Sequence, residues 1–312
     1  MQRSNLILGA IRGYTFDQLS PFIRSLRAAG STAELCLFHN SIDDASLAKL
    51  REHGATLIPF HKFGLKNPFT GHVYTGDGRL RTILNLYPRF IGGMPGLSDE
   101  ARFAARAKFA KKFFIVHCSR YLMYLEYLLS RSAEEVGNVL IADLRDVFFQ
   151  RDPFEFDCGD SLCVFNEHRS IRLETDSCNR EWVEAPMGRE AVDKFRSEPL
   201  SCSGVTLGSY PRMVEYLKAM AQLFFTSYLN FAYHPGFDQG AHNVLLWTGD
   251  LQKVRRFDNF DSPVLTMGGM KPDEVLLNDE RRVINRDGSI VHIVHQHDRH
   301  PPVEAALHAR LS

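Results

Sequence analysis

Val139-Leu140-Ile141-Ala142-Asp143-Leu144-Arg145-Asp146 is four apolar residues running straight into two aspartates three positions apart. An apolar run without alternation marks a strand buried on both faces, as at the centre of a largely parallel sheet. In such sheets ligands bind beyond the carboxyl ends of the strands. An Asp-x-x-Asp turn at that edge gathers two carboxylates, whose mutual repulsion calls for something positive between them. Mg²⁺ and Mn²⁺ suit oxygen-rich sites of this kind and also bind ligand phosphates. The same residues equally read as a plain strand-end turn, with Asp143 capping a following helix and Asp146 paired with Arg145 or Arg151. The two aspartates alone leave both readings open.

The residues on the N-terminal side supply the rest of a sheet. Leu6–Leu8 is a short apolar run ending at Gly9, and Leu19, Phe22, Ile23 and Leu26 then recur at helical spacing up to a stop at Gly30. Leu35–Phe38 reads as a second strand, Ala45–Glu52 as a second helix, and Ala55–Ile58 as a third strand closed by Pro59. Strands alternating with helices imply βαβ units and parallel pairing. Residues 60–97 carry many Gly and Pro residues and little periodicity, and so read as a long, functional or mobile loop. Ser98-Asp99-Glu100 caps a helix to about Lys112, and Ser119–Ser130 forms another. No internal repeat or low-complexity segment occurs.

Carried on through Val147-Phe148-Phe149-Gln150-Arg151-Asp152-Pro153-Phe154, the aspartate stretch resembles the aspartate-motif strand of GT-A glycosyltransferases, in particular a group with the pattern D-x-R-D-V-x-F-Q-x-D-P-F. Four further blocks follow the family's order from about residue 5 to residue 300. Arg12-Gly13-Tyr14 follows the first strand, and Cys202-Ser203-Gly204-Val205-Thr206-Leu207-Gly208 is similar to the small-residue strand beneath a donor sugar. Phe237-Asp238-Gln239-Gly240-Ala241-His242-Asn243 is similar to a D-Q-x-x-x-N helix start, and Ile293-Val294-His295-Gln296-His297-Asp298-Arg299-His300 to a closing histidine motif. The family's best-known motif spaces its aspartates two apart, against three here.

The resemblance implies an α/β fold of GT-A (Rossmann-like) type: a mixed, mainly parallel central sheet flanked by helices, one continuous domain with two abutting halves. Residues 1–154 would be the nucleotide-binding half, ending at the Asp-x-x-Asp turn, and residues 155–312 the half binding donor sugar and acceptor. It further implies a transferase that moves a sugar from a nucleotide diphosphate sugar, UDP-linked in preference to GDP-linked, to a hydroxyl of a glycan or other acceptor, with Mn²⁺ or Mg²⁺ as cofactor. Asp143, Asp146 and His295 would hold the metal, Asp146 being the more direct carboxylate and Asp143 nearer the ribose or a metal-bound water.

Read as a strand, Val291–His295 puts His295 and Val291 on one face and His292 and Val294 on the other, with His297 continuing the His295 face; the match to the family's histidine motif implies His295 first as ligand, with His297 second. Arg12, Tyr14, Arg120, Tyr124, Asp143 and Gly204 would contact the nucleotide sugar. Arg120 and Tyr124 lie one helical turn apart, and Gly204 lets a sugar approach the backbone. Asp238 and Gln239, at the positive end of a helix, are the catalytic candidates: Asp238 would bind sugar hydroxyls, stabilise charge at the anomeric carbon, or deprotonate the acceptor. Glu167, Asn179 and Trp182 suit sugar contacts or plain packing.

Composition narrows the partners. The 312 residues carry 37 Lys+Arg against 37 Asp+Glu, so no global charge draws the chain to nucleic acid. The apolar stretch after Met1 is too short for a signal peptide, and no run reaches the roughly 18 apolar residues of a membrane span. A cytoplasmic protein with no integral membrane contact is expected, its six cysteines reduced. Neither G-x-x-x-x-G-K-[ST] nor G-x-S-x-G occurs, which argues against a P-loop NTPase and an α/β-hydrolase. A sugar-nucleotide pyrophosphorylase, for which Gly9-Ala10-Ile11-Arg12-Gly13 is a poor phosphate loop, and a non-catalytic carbohydrate-binding protein are the alternatives.

Overall fold

The computed structural model describes residues 3–62, 65–66, 73–74, 86–87, 90–91 and 94–311. Its strands are β1 (Ser4–Arg12), β2 (Glu34–Asn40), β3 (Ala55–Pro59), β4 (Leu65–Lys66), β5 (Val73–Tyr74), β6 (Val136–Ala142), β7 (Val147–Phe149), β8 (Leu162–Asn166), β9 (Ser201–Ser209), β10 (Val254–Phe257), β11 (Val264–Thr266) and β12 (Ile293–His295). Its helices are α1 (Phe16–Ala28), α2 (Asp44–Glu52), α3 (Asp99–Phe113), α4 (Val116–Leu129), α5 (Ser177–Met187), α6 (Arg189–Phe195), α7 (Tyr210–Phe224), α8 (Tyr228–Tyr233), α9 (Phe237–Thr248) and α10 (Pro301–His308). The loop expected over 60–97 lies largely outside the described residues.

The main sheet has seven strands in the order β10-β8-β9-β6-β1-β2-β3. Every pairing is parallel except those of β9, which runs antiparallel to both β6 and β8. The mixed, mainly parallel α/β sheet read from the sequence is therefore the observed one, with β6 next to β1 at its centre. A small sheet, β11-β12-β7, abuts it.

Period-two alternation sorts the central strands between two cores. Leu6 and Leu8 of β1 and Val139 and Ile141 of β6 face α4, α7 and α9, among Tyr121, Leu125, Leu217 and Leu245. Ile7, Ile11, Leu140 and Ala142 point the other way, onto Leu19, Phe22, Leu26 and Leu50 of α1 and α2. Each such Leu, Ile or Phe contributes about 1.5–3 kcal/mol by leaving water. A third cluster, around Phe148, Leu265, Val294 and Leu307, joins the small sheet to α10.

Two boundaries differ from expectation. Strand β1 runs through Gly9 to Arg12, because Gly9 is where Leu144 packs: a Cβ there would lie 2.6 Å from Leu144 Cδ1. The chain turns instead at Gly13, whose φ of +69° suits glycine. Helix α4 starts at Val116, three residues before the expected Ser119, with Ile115 at its N-cap making no side-chain bond. A helix opened without a capping residue leaves no signature in sequence.

Candidate active site

Strand β6 ends at Ala142, and the next four residues cross from the main sheet to the small one. No helix follows Asp143, so its capping reading fails; the chain enters β7 directly. Leu144 is buried against Gly9, which turns the neighbouring Asp143 to the open edge. The turn is pinned on both sides: Asp143 N donates to Gly204 O at 2.7 Å, and Gln296 N donates to Asp146 O at 2.7 Å. Because β9 is antiparallel to β6, its first residues, with Gly204, reach the edge that the other strands reach with their last.

His295 ends β12 and is wholly buried. Its Nε2 stands 3.9 Å from Asp143 Oδ2 and 3.9 Å from Asp146 Oδ1, and the three donor atoms all lie within 4.8 Å of one another. That Nε2 has no hydrogen-bond partner among the described residues, while Nδ1 sits 3.4 Å from Thr266 Oγ1. A buried ring nitrogen aimed between two carboxylates, one side orphaned and the other oriented by a hydroxyl, fits a hard divalent cation with two oxygen donors and one nitrogen. His297 is not part of this group. Gln296 adopts φ 58°, a left-handed turn that ends the strand alternation, so His297 faces Glu304 and His308 instead.

Arg120, on α4, crosses the site. One end of its guanidinium pairs with Asp143 Oδ1, and Nη2 lies 3.2 Å from Asp238 Oδ2. Burial works to raise the Asp143 carboxyl, but Arg120 and His295 outweigh it and hold it below the usual carboxylate range. Asp146 goes the other way: burial pushes it up and Asp143 adds to that, against the pull of His295. The two carboxyls are therefore shifted in opposite directions, because Arg120 serves Asp143 and does not reach Asp146.

A cleft of about 500 Å³ opens over this group, lined among others by Arg12, Tyr14, His117, Arg120, Asp143 and Asp146. Arg12 and Tyr14 come from the end of β1 and the turn after it. His117, in the first turn of α4, is a lining residue that the sequence reading missed, because it fell before the expected helix start. Tyr124 does not line the cleft; it is buried, 5.5 Å from the Phe38 ring.

Asp238 is 3% exposed in the first turn of α9. Gln239 points elsewhere, donating from Nε2 to Glu167 Oε1 and Asn179 Oδ1, each at 2.9 Å. Burial pushes the Glu167 carboxyl up to about 7, although the donation from Gln239 opposes it. Asn243 clamps α9 to β9: its Oδ1 accepts from Ser201 N at 2.8 Å and its Nδ2 donates to Ser201 O at 2.9 Å. Trp182 packs against Gly236 and Gly240, where a Cβ would meet it at 2.3 and 2.1 Å.

No family model and no curated protein sequence matches the chain. Among solved structures it is similar to the galactosyltransferase LgtC in complex with donor and acceptor sugar analogues, at 16% identity over 93% of this chain and 86% of that one, TM-score 0.42. It is also similar to the bifunctional glycosyltransferase WbbM in its apo form, at 11% identity over 95% of this chain and 46% of that one, TM-score 0.46. Among the described residues no helix is long and apolar enough to cross a membrane.

Proposed function

We propose that the chain is a metal-assisted glycosyltransferase of the GT-A kind. It would take a nucleotide diphosphate sugar, UDP-linked in preference, and pass the sugar to a hydroxyl of a glycan or other acceptor. The observation that carries this reading is the orphaned Nε2 of His295, 3.9 Å from each of two carboxylates at the foot of a cleft with arginine and tyrosine in its walls.

Asp143, Asp146 and His295 would hold Mn²⁺ or Mg²⁺, which when bound supplies Lewis-acid neutralisation of the leaving diphosphate. Tyr14 and Arg12 line the cleft; Tyr14 would stack on the base and Arg12 would contact phosphate or uracil. Arg120 holds Asp143 and Asp238 in fixed relation, so nucleotide and sugar are oriented by one side chain. Asp238, buried and charge-paired at a helix N-terminus, is suited to receive donor-sugar hydroxyls or to face positive charge at the anomeric carbon. Gln239 serves the same site indirectly, by positioning Glu167 and Asn179. Gly204 leaves the space that His295 and Asp143 occupy.

The test is a thermal-shift panel of UDP, GDP, CDP and ADP with and without Mn²⁺. A nucleotide at about 100 times its Kd should add about 2.7 kcal/mol, with UDP strongest and the gain dependent on the metal. If no nucleotide stabilises the protein more with Mn²⁺ than without, the reading is wrong. Asp146→Asn should abolish Mn²⁺-dependent hydrolysis of the sugar nucleotide while the fold stays intact. Release of pyrophosphate from a nucleoside triphosphate and a sugar phosphate would favour a nucleotidyltransferase instead.

A further inference from the structure

Behind the turn that carries His295 lies a second group of donor side chains with no role in the reading above. His297, Glu304 and His308 each offer a ligand atom, and the three atoms lie within 4.8 Å of one another. His297 is 1% exposed, yet neither of its ring nitrogens has a hydrogen-bond partner among the described residues, and neither does Nε2 of His308. An imidazole always carries a donor or an acceptor on each nitrogen, and a buried polar atom left unpaired costs about 1–3 kcal/mol. One nitrogen of His297 and one of His308, buried or partly buried and converging with a Glu304 oxygen, are the mark of a missing common partner.

The elements that build the group explain its shape. The left-handed Gln296 swings His297 away from the aspartates, and Pro301-Pro302 starts α10 directly after the short turn that follows. On α10, Glu304 and His308 are four residues apart and share one face. Phe148 closes the back, its ring centroid 6.2 Å from those of both His297 and His308. The Glu304 side chain is 35% exposed, which leaves an entry path. His297 Nδ1 and Glu304 Oε1 are 3.9 Å apart, and a tetrahedral ion with bonds of about 2.1 Å holds its donors about 3.4 Å apart. A small rotation of the partly exposed Glu304 side chain closes that difference.

We propose that His297, Glu304 and His308 form a zinc site, separate from Asp143, Asp146 and His295, that clips α10 to the turn bearing His295. Two imidazoles and one carboxylate make a softer set than two carboxylates and one imidazole, so Zn²⁺ sorts to the first and Mg²⁺ or Mn²⁺ to the second. The fourth position is left for water. The ion gives one nitrogen of each imidazole its partner, and it sits apart from whatever the cleft binds.

The experiment measures metal content and affinity on the intact chain after metal removal and titration with Zn²⁺, and with Co²⁺ for its visible absorption when four-coordinate. Wild type and Asp146→Asn should both retain a zinc ion, with the four-coordinate cobalt band. His308→Ala should bind at least about 100-fold more weakly, since losing even an outer-shell partner of a metal costs 10–100-fold. Glu304→Gln, a substitution at a partly exposed side chain that keeps its shape, serves as the second variant, and circular dichroism confirms that both variants are folded. Failure of the wild type to bind zinc overturns the proposal. So does zinc that is lost in Asp146→Asn but held with unchanged affinity by His308→Ala and Glu304→Gln, because the ion then belongs to the aspartates.

Discussion

Gly204 and His295 are in such close approach that a Cβ on Gly204 would lie 2.6 Å from His295 Cε1 and 2.7 Å from Asp143 Oδ2. The missing side chain lets an antiparallel strand press on the two donors from below, and the backbone bond from Asp143 N to Gly204 O fixes that spacing. Gly204→Ala should therefore displace His295 or Asp143 by several tenths of an ångström and weaken Mn²⁺-dependent stabilisation by nucleotide, while the overpacking costs the free protein about 1–3 kcal/mol. Isothermal titration of Mn²⁺ with UDP reads this; undiminished affinity would show that the contact does not govern the site.

Arg120 is the only cation within salt-bridge reach of both Asp143 and Asp238 among the described residues, and the Asp238 side chain is 5% exposed. Breaking a buried pair by removing one partner costs about 3–5 kcal/mol because the remaining charge stays buried. Arg120→Ala should lose about that much in urea unfolding. Arg120→Lys, which keeps the charge but not the fork that spans two carboxylates, should fall between.

Glu167 gives a pH dependence whose sign is fixed. Burial raises its folded pKa to about 7 from an ordinary 4.5, so the folded chain holds a proton that the unfolded chain releases. Its contribution to stability is complete below pH 4.5 and is lost as the pH rises through about 7. His242, which burial holds down at about 3, acts in the opposite sense: stability is lost as pH falls from 6.5. The two are separated by Glu167→Gln, which should remove the falling component between pH 4.5 and 7 and leave the His242 component. Parallel urea midpoints for wild type and variant across that range would disprove the assignment.

Asn243 satisfies both backbone atoms of Ser201 at the start of β9. Asn243→Ala leaves a buried N–H and C=O without partners, a cost of about 1–3 kcal/mol for each group so exposed. Hydrogen exchange at Ser201 should accelerate together with the loss of stability, while exchange in β2 and β3, at the far end of the sheet, should report only the global change.

The β1 to β3 alternation, the strand ending at Ala142 and the aspartates after it were legible in the sequence, because periods of 2 and 3.6 residues and an abrupt change from apolar to charged are local signals. The expected residues Arg12, Tyr14, Arg120, Asp143, Asp146, Gly204, Asp238 and His295 lie near one another at one edge. Their partnerships were not legible. That Arg120 meets Asp238, 118 positions away, depends on how α4 and α9 lie on the same sheet face. That His295 joins the aspartates while His297 leaves them depends on one left-handed residue, Gln296, which alternation cannot foresee. Tyr124 turns into the core and Gln239 towards Glu167 because helical phase is set by packing against distant strands. Sequence alone determined the elements and the chemistry available at their ends; only the tertiary structure decided which of those groups touch, since contact between residues far apart in the chain is settled by how whole faces pack.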